Sequence, residues 1–224
     1  MRPPTVMTSF ASITEIPVRP SEPLFESSRQ AVPADRSRRE QTGTEILADY
    51  PSNSGEPFDL STNLHLGWHY LHARNYDAAI EQLKKVIELE PKFFLAHLIL
   101  GMAYEQQGNF PGALEEFKEA SLSENSPVVL GFLGYTYAAL EDRSKAMEIL
   151  DELRERSKHS YVPAYSMALI HSRLGEQDEA FEHLDKAFME RNQWLISLNV
   201  APEFDSLRLD PRFETLVRRA NLDQ

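Results

Sequence analysis

His65, His69 and His72 stand in the spacing H-x3-H-x2-H, and the first two, four residues apart, share one face of any helix that carries them. Metal-binding helices present imidazoles in this way. Zinc enzymes with that geometry add a glutamate between the histidines and a distal ligand, whereas Leu66, Gly67 and Trp68 fill the interval here. The pattern favours packed or exposed histidines, and a metal-dependent protein acting through His65, His69 and His72 is kept only as an alternative. Carboxylates are plentiful, but Glu81, Glu88, Glu115, Glu116 and Glu119 lie beside Lys84, Lys85 and Lys118. At i,i+4 spacing, as in Glu81 and Lys85, such charges support a solvated helix face. The chain has no cysteine, so thiolate metal sites, thiol nucleophiles and disulfides are excluded. It also lacks a phosphate-cradling glycine loop and a G-x-S-x-G elbow, and serine and histidine never come into a nucleophile-and-base arrangement. Arg36, Arg38 and Arg39 form a small basic cluster that reads as linker. No catalytic residue, cofactor site or metal site is expected, and the chain does not read as an enzyme.

What the sequence does carry is a period. Ala79, Ala113, Ala146 and Ala180 are separated by 34, 33 and 34 residues, and four residues after each comes a large side chain: Leu83, Phe117, Leu150 and Leu184. Twelve residues before each alanine stands a second small residue, Gly67, Gly101, Gly134 or Ala168, followed three residues later by a ring: Tyr70, Tyr104, Tyr137 or His171. Each half of the unit has apolar positions at spacings of three and four, which predicts an amphipathic helix, so each unit is a helical hairpin. Asn109 and Asp142 can cap the second helices of their units, and Pro111 suits a first helical turn. The small residues let the paired helices approach closely, so a bulky residue at Gly101 should wreck its hairpin. One hairpin alone leaves an apolar face uncovered, and successive units must stack to bury it.

Leu66, Gly67, Tyr70, Ala79, Leu83 and Pro91 in the first unit, and Leu100, Gly101, Tyr104, Ala113 and Phe117 in the second, resemble the tetratricopeptide pattern L-G-x2-Y…A-x3-F…P. The third unit lacks the closing proline, and the fourth has Ala168 and His171 where Gly and Tyr are usual. The resemblance covers roughly residues 60–190. It implies an all-α, tetratricopeptide-type helical-hairpin solenoid of about four repeats, over about 60–93, 94–126, 127–160 and 161–190, within a repeat region of 59–190. Residues 191–224 change pattern, with Trp194, Leu195, Leu198 and Val200 apolar and Pro202 and Pro211 opening short helical turns, and they read as a C-terminal helical cap. The run PEFDSLRLDPRFETLVRR in this cap looks like the closing segment of bacterial tetratricopeptide proteins of the end-of-group type.

The resemblance implies a non-enzymatic protein-protein interaction scaffold that binds a peptide or partner protein in its concave groove. By analogy with the family, the groove is lined by Leu64, Trp68, Leu98, Met102, Tyr135, Tyr165 and Leu169, an apolar set without the Lys, Asn and Arg of carboxylate-clamping relatives. Such a lining suits an amphipathic helix or an extended peptide with aromatic and aliphatic anchors. Two other readings stay open. Neighbouring helices or the capping segment bury these side chains, or the chain's own N-terminal tail docks in the groove. A regulatory or sensor component of a bacterial signalling or transcription system, associated with a kinase or winged-helix module, is the alternative function.

Composition sets the remaining bounds. At 224 residues with 42% apolar content the chain can build a real core, and its net charge of −12 disfavours nucleic acid and anionic membrane surfaces as partners. Residues 1–58 hold eight of the fourteen prolines and no helical period, which predicts a disordered N-terminal tail with one short helical stretch at most, over 42–50. No apolar run near the N-terminus reaches signal-peptide length, and FFLAHLILGMAY, at 93–104, is far shorter than the roughly 20 residues of a membrane span. A cytoplasmic protein is expected.

Overall fold

The structure, a computed structural model, describes residues 60–124 and 126–222; the Pro-rich tail expected over 1–58 and its short helix lie outside the described residues. Among the described residues the chain is helical, with no strand. Its helices pair in sequence: α1 (Leu60–His72) with α2 (Tyr76–Leu89), α3 (Phe94–Gln106) with α4 (Phe110–Ser123), α5 (Pro127–Ala139) with α6 (Arg143–Ser157), and α7 (Ala164–Leu174) with α8 (Gln177–Met189). The first helices of the pairs also pack in series, α1 on α3, α3 on α5 and α5 on α7, and so form an inner layer. Two 3-10 turns, Gln193–Ser197 and Pro202–Leu207, follow α8, and a last helix, α9 (Pro211–Arg219), lies against it.

The hairpin turns share one construction. The residue before each second-helix cap sits in the left-handed region, with φ of 60° at Arg74, 77° at Gly108, 61° at Glu141 and 77° at Gly175. The next side chain caps the helix in three of the four turns: Asn75 accepts from the Ala78 N–H, Asn109 from Gly112 and Asp142 from Lys145. Glu176, in the fourth, makes no side-chain cap bond; its carboxylate is engaged by His171 Nδ1 at 2.6 Å and by Arg143.

Close packing within the pairs depends on the small residues. A Cβ built on Gly67 would lie 2.6 Å from Leu83 Cγ, and one on Gly101 would lie 2.5 Å from the ring of Phe117. Between pairs, a Cβ on Gly131 would lie 2.9 Å from the backbone Cα of Ser166, so α5 and α7 approach nearly backbone to backbone. His97, buried, ties the second unit together with Nδ1 2.7 Å from Glu116 Oε2 and Nε2 3.0 Å from the Pro91 carbonyl.

The two layers are buried to different extents. In α2 only the stripe Ala79, Leu83 and Val86 is buried, as befits an outer amphipathic helix. In α3 every residue from Ala96 to Ala103 is buried, and in α7 every residue from Ala164 to Ser172. An inner helix enclosed all round must be covered on its concave side as well as by its outer partner.

Candidate interaction groove

The cover is the C-terminal segment. Trp194 lies at the centre of the concave face, with ring centroids 5.8 Å from Trp68 of α1, 6.2 Å from Phe132 of α5 and 6.0 Å from Tyr165 of α7. Phe204, fully buried, adds an edge contact to Tyr165 at 5.5 Å, and Phe132 stacks in turn on Phe117 at 5.6 Å. One ring from the segment thus gathers aromatic side chains from three inner helices. Of the seven expected groove residues, Leu98, Met102, Tyr165 and Leu169 are at most 1% exposed, Tyr135 is 4% and Leu64 8%, while Trp68 is half-buried beneath Trp194. The groove is therefore occupied by residues 193–208. The N-terminal tail, the other occupant weighed from sequence, lies outside the described residues.

The segment is fastened at its edge by arginines. Arg74, in the turn after α1, donates two hydrogen bonds to Asp205, at 2.7 and 2.8 Å, across 131 residues of sequence. Arg208 donates to the same carboxylate at 2.6 Å and to the carbonyls of Asn199 and Ala201 at 2.7 and 3.0 Å, bracing the path between the two turns. Burial works to raise the Asp205 carboxyl, but the hydrogen bonds from Arg74 and Arg208 outweigh it and hold the group below its ordinary value. Ser172 on α7 donates to the Leu169 carbonyl and, at 3.4 Å, to the carbonyl of Glu203.

Under this latch lies a polar cluster that the repeat pattern gives no reason to expect. Glu105 of α3 and Glu203 of the second 3-10 turn are 5% and 2% exposed, and neither Glu203 carboxylate oxygen nor Glu105 Oε2 has a hydrogen-bond partner. Burial pushes the Glu203 carboxyl up to about 7 and Asp205 adds to the rise, while the charges of Arg74 and Arg208 oppose it. Glu105 is raised well above its ordinary value by burial and then by Glu203, against the pull of Arg173. Tyr135 and Tyr165 rise for the same first reason and feel Glu203 as well. Arg173 sits over the Tyr135 ring at 5.4 Å, an exposed cation at the rim of a buried acidic pocket.

The histidines of α1 do not assemble a site. His65 and His69 are exposed, while His72 is half-buried edge-on to Trp68, with ring centroids 4.4 Å apart. Burial, and then the charge of His69, push His72 down to about 4. Among the described residues no group of three or more His, Asp or Glu is placed to hold a metal ion. No helix among them is long and apolar enough to cross a membrane.

Sequence reading named the inner-helix residues but missed the side chains that meet them. Trp194 was visible only as part of a capping segment. Glu105 follows the run FFLAHLILGMAY, which only His97 interrupts, and its place on the inner helix follows from the repeat. Phe132 stands two residues before Gly134 on the same inner helix, and its ring completes the aromatic seat.

Stacked helical hairpins whose inner helices pack in series define a helical-repeat solenoid. Residues 64–127, the first two hairpins, match the tetratricopeptide repeat family. The chain is similar to the type IV pilus assembly protein PilF of Pseudomonas aeruginosa, with 26% identity over 146 residues, covering 62% of this chain and 56% of that protein. The chain thus spans little more than half the length of that relative. A solved tetratricopeptide repeat protein from Parabacteroides merdae matches 81% of this chain and 70% of its own, at 15% identity and a TM-score of 0.44.

Proposed function

We propose that this chain is a non-enzymatic interaction scaffold whose concave groove receives a peptide or a partner protein. The observation that supports this most directly is the aromatic seat formed by Trp68, Phe132 and Tyr165, which accepts one large ring from a 3-10 turn of the C-terminal segment. An aromatic pocket around a tryptophan, bordered by an arginine that grips a carboxylate in two-pronged fashion, is an arrangement that concentrates binding energy in peptide recognition. Here that seat is filled from within.

The similarity to PilF supports a second, narrower reading, in which the partner is a component of a surface-fibre assembly apparatus. Both readings predict a protein partner in defined stoichiometry. Chemical cross-linking of the tagged chain in its native cells, followed by reconstitution with the purified candidate, tests them. Cross-links on α1, α3, α5 or the C-terminal segment support the groove. Cross-links confined to α2, α4 and α6 move the docking surface to the outer layer, and failure of every candidate to reconstitute removes the scaffold reading.

A further inference from the structure

We propose that residues 193–208 are a removable occupant of the concave groove, holding it shut against a partner segment of the same chemistry: an aromatic anchor followed by a carboxylate. The inference rests on the scaffold reading and adds a regulatory contact to it.

The segment has the features of a ligand. It crosses the groove in two 3-10 turns, which have poorer hydrogen-bond geometry than the α-helices beneath them. Its hold is concentrated in a few side chains: Trp194 in the aromatic seat, Phe204 against Tyr165, and Asp205 on Arg74. The chemistry of a competing partner follows from these contacts. Its ring must fill the space among Trp68, Phe132 and Tyr165, and its carboxylate must reach the exposed cations Arg74 and Arg173 at the rim.

The segment is also held less tightly than the site allows. Glu203 enters the groove with both oxygens unpartnered and faces a second buried carboxylate, Glu105, together with Tyr135 and Tyr165. Burying polar groups without partners opposes docking, and an apolar side chain at this position would bind better. A segment that served only to seal the solenoid gains nothing from this penalty. For a segment that must leave, it lowers the barrier to displacement.

The test uses a fluorescently labelled synthetic peptide of residues 191–209, titrated by anisotropy into the full chain and into three variants that leave the groove helices intact. Trp194→Ala and Asp205→Ala weaken the resident segment, so both should take up the peptide more tightly than the parent chain, Trp194→Ala by about tenfold or more. Glu203→Gln removes the buried charge and strengthens the resident segment, so its uptake should fall below that of the parent. Absence of saturable uptake by both weakened variants, with helical circular dichroism retained, makes the segment a permanent cap and overturns the proposal. Equal affinity for all four proteins does the same, because it places the peptide elsewhere. Should Trp194→Ala lose its helical signal, Asp205→Ala, a surface contact, decides alone. A partner reconstituted on the intact chain while the peptide fails would sink this inference and leave the scaffold standing. Peptide uptake without any partner would do the reverse.

Discussion

Glu203 and His72 respond to pH in opposite directions. Glu203 holds its proton more tightly in the folded chain than in the unfolded one, since burial lifts it to about 7. Its stabilising contribution is therefore full below the ordinary carboxylate value and is lost as pH rises through about 7. His72, pushed down to about 4, resists protonation in the fold, so its contribution is present above the ordinary imidazole value and is lost as pH falls toward about 4. Glu203→Gln should melt above the parent chain at pH 8, by roughly 5 °C, and match it at pH 4.5. His72→Gln should change little at pH 8 and should flatten the decline between about pH 6.5 and 4. Thermal melts across that range check both. The sequence reaches the inner helix faces of the candidate groove, because Trp68, Met102 and Tyr135 stand at equivalent positions of successive units, one repeat apart. It does not reach the groove's occupant. Contacts between Trp194 and Trp68, or between Arg74 and Asp205, span more than a hundred residues, and no local period encodes them.

At the scale of elements, the hairpins place their strictest demands where backbones meet. Gly131→Ala would set a Cβ against the backbone of α7, which cannot swing aside as a side chain can, and should cost about 1–3 kcal/mol in urea unfolding. Gly101→Val should cost at least as much, because the Phe117 ring is fully buried and stacked on Phe132. The turns offer a gain. Glu141 occupies the left-handed region that glycine fills at Gly108 and Gly175, so Glu141→Gly should stabilise by up to about 1 kcal/mol. A shift of the urea midpoint with unchanged slope is the expected readout. The all-helical repeat fold was legible because the spacing of Ala79, Ala113, Ala146 and Ala180 reports a packing requirement that every unit must meet locally. Pro202 marks the start of the second 3-10 turn, whereas the first, Gln193–Ser197, carries no such mark.

On the scale of the described body, the Arg74–Asp205 pair joins the first hairpin to the segment that follows the last. Repeat arrays ordinarily behave as rows of units coupled to their neighbours, with terminal units that fray first. Here the first hairpin is also bound to the far end. Hydrogen exchange should show α1 protected nearly as well as α7, and Asp205→Ala should release α1 and α2 to faster exchange while α7 and α8 keep their protection. Equal protection in parent and variant would show that the pair contributes nothing to this coupling. The same pair bears on how such a protein can change in length. An open solenoid tolerates a duplicated or deleted hairpin, since each new unit meets the same neighbours. In this one an added hairpin would carry Arg74 and Asp205 apart by the width of a repeat and leave Trp194 short of Trp68, so the number of units and the reach of the C-terminal segment must be inherited together.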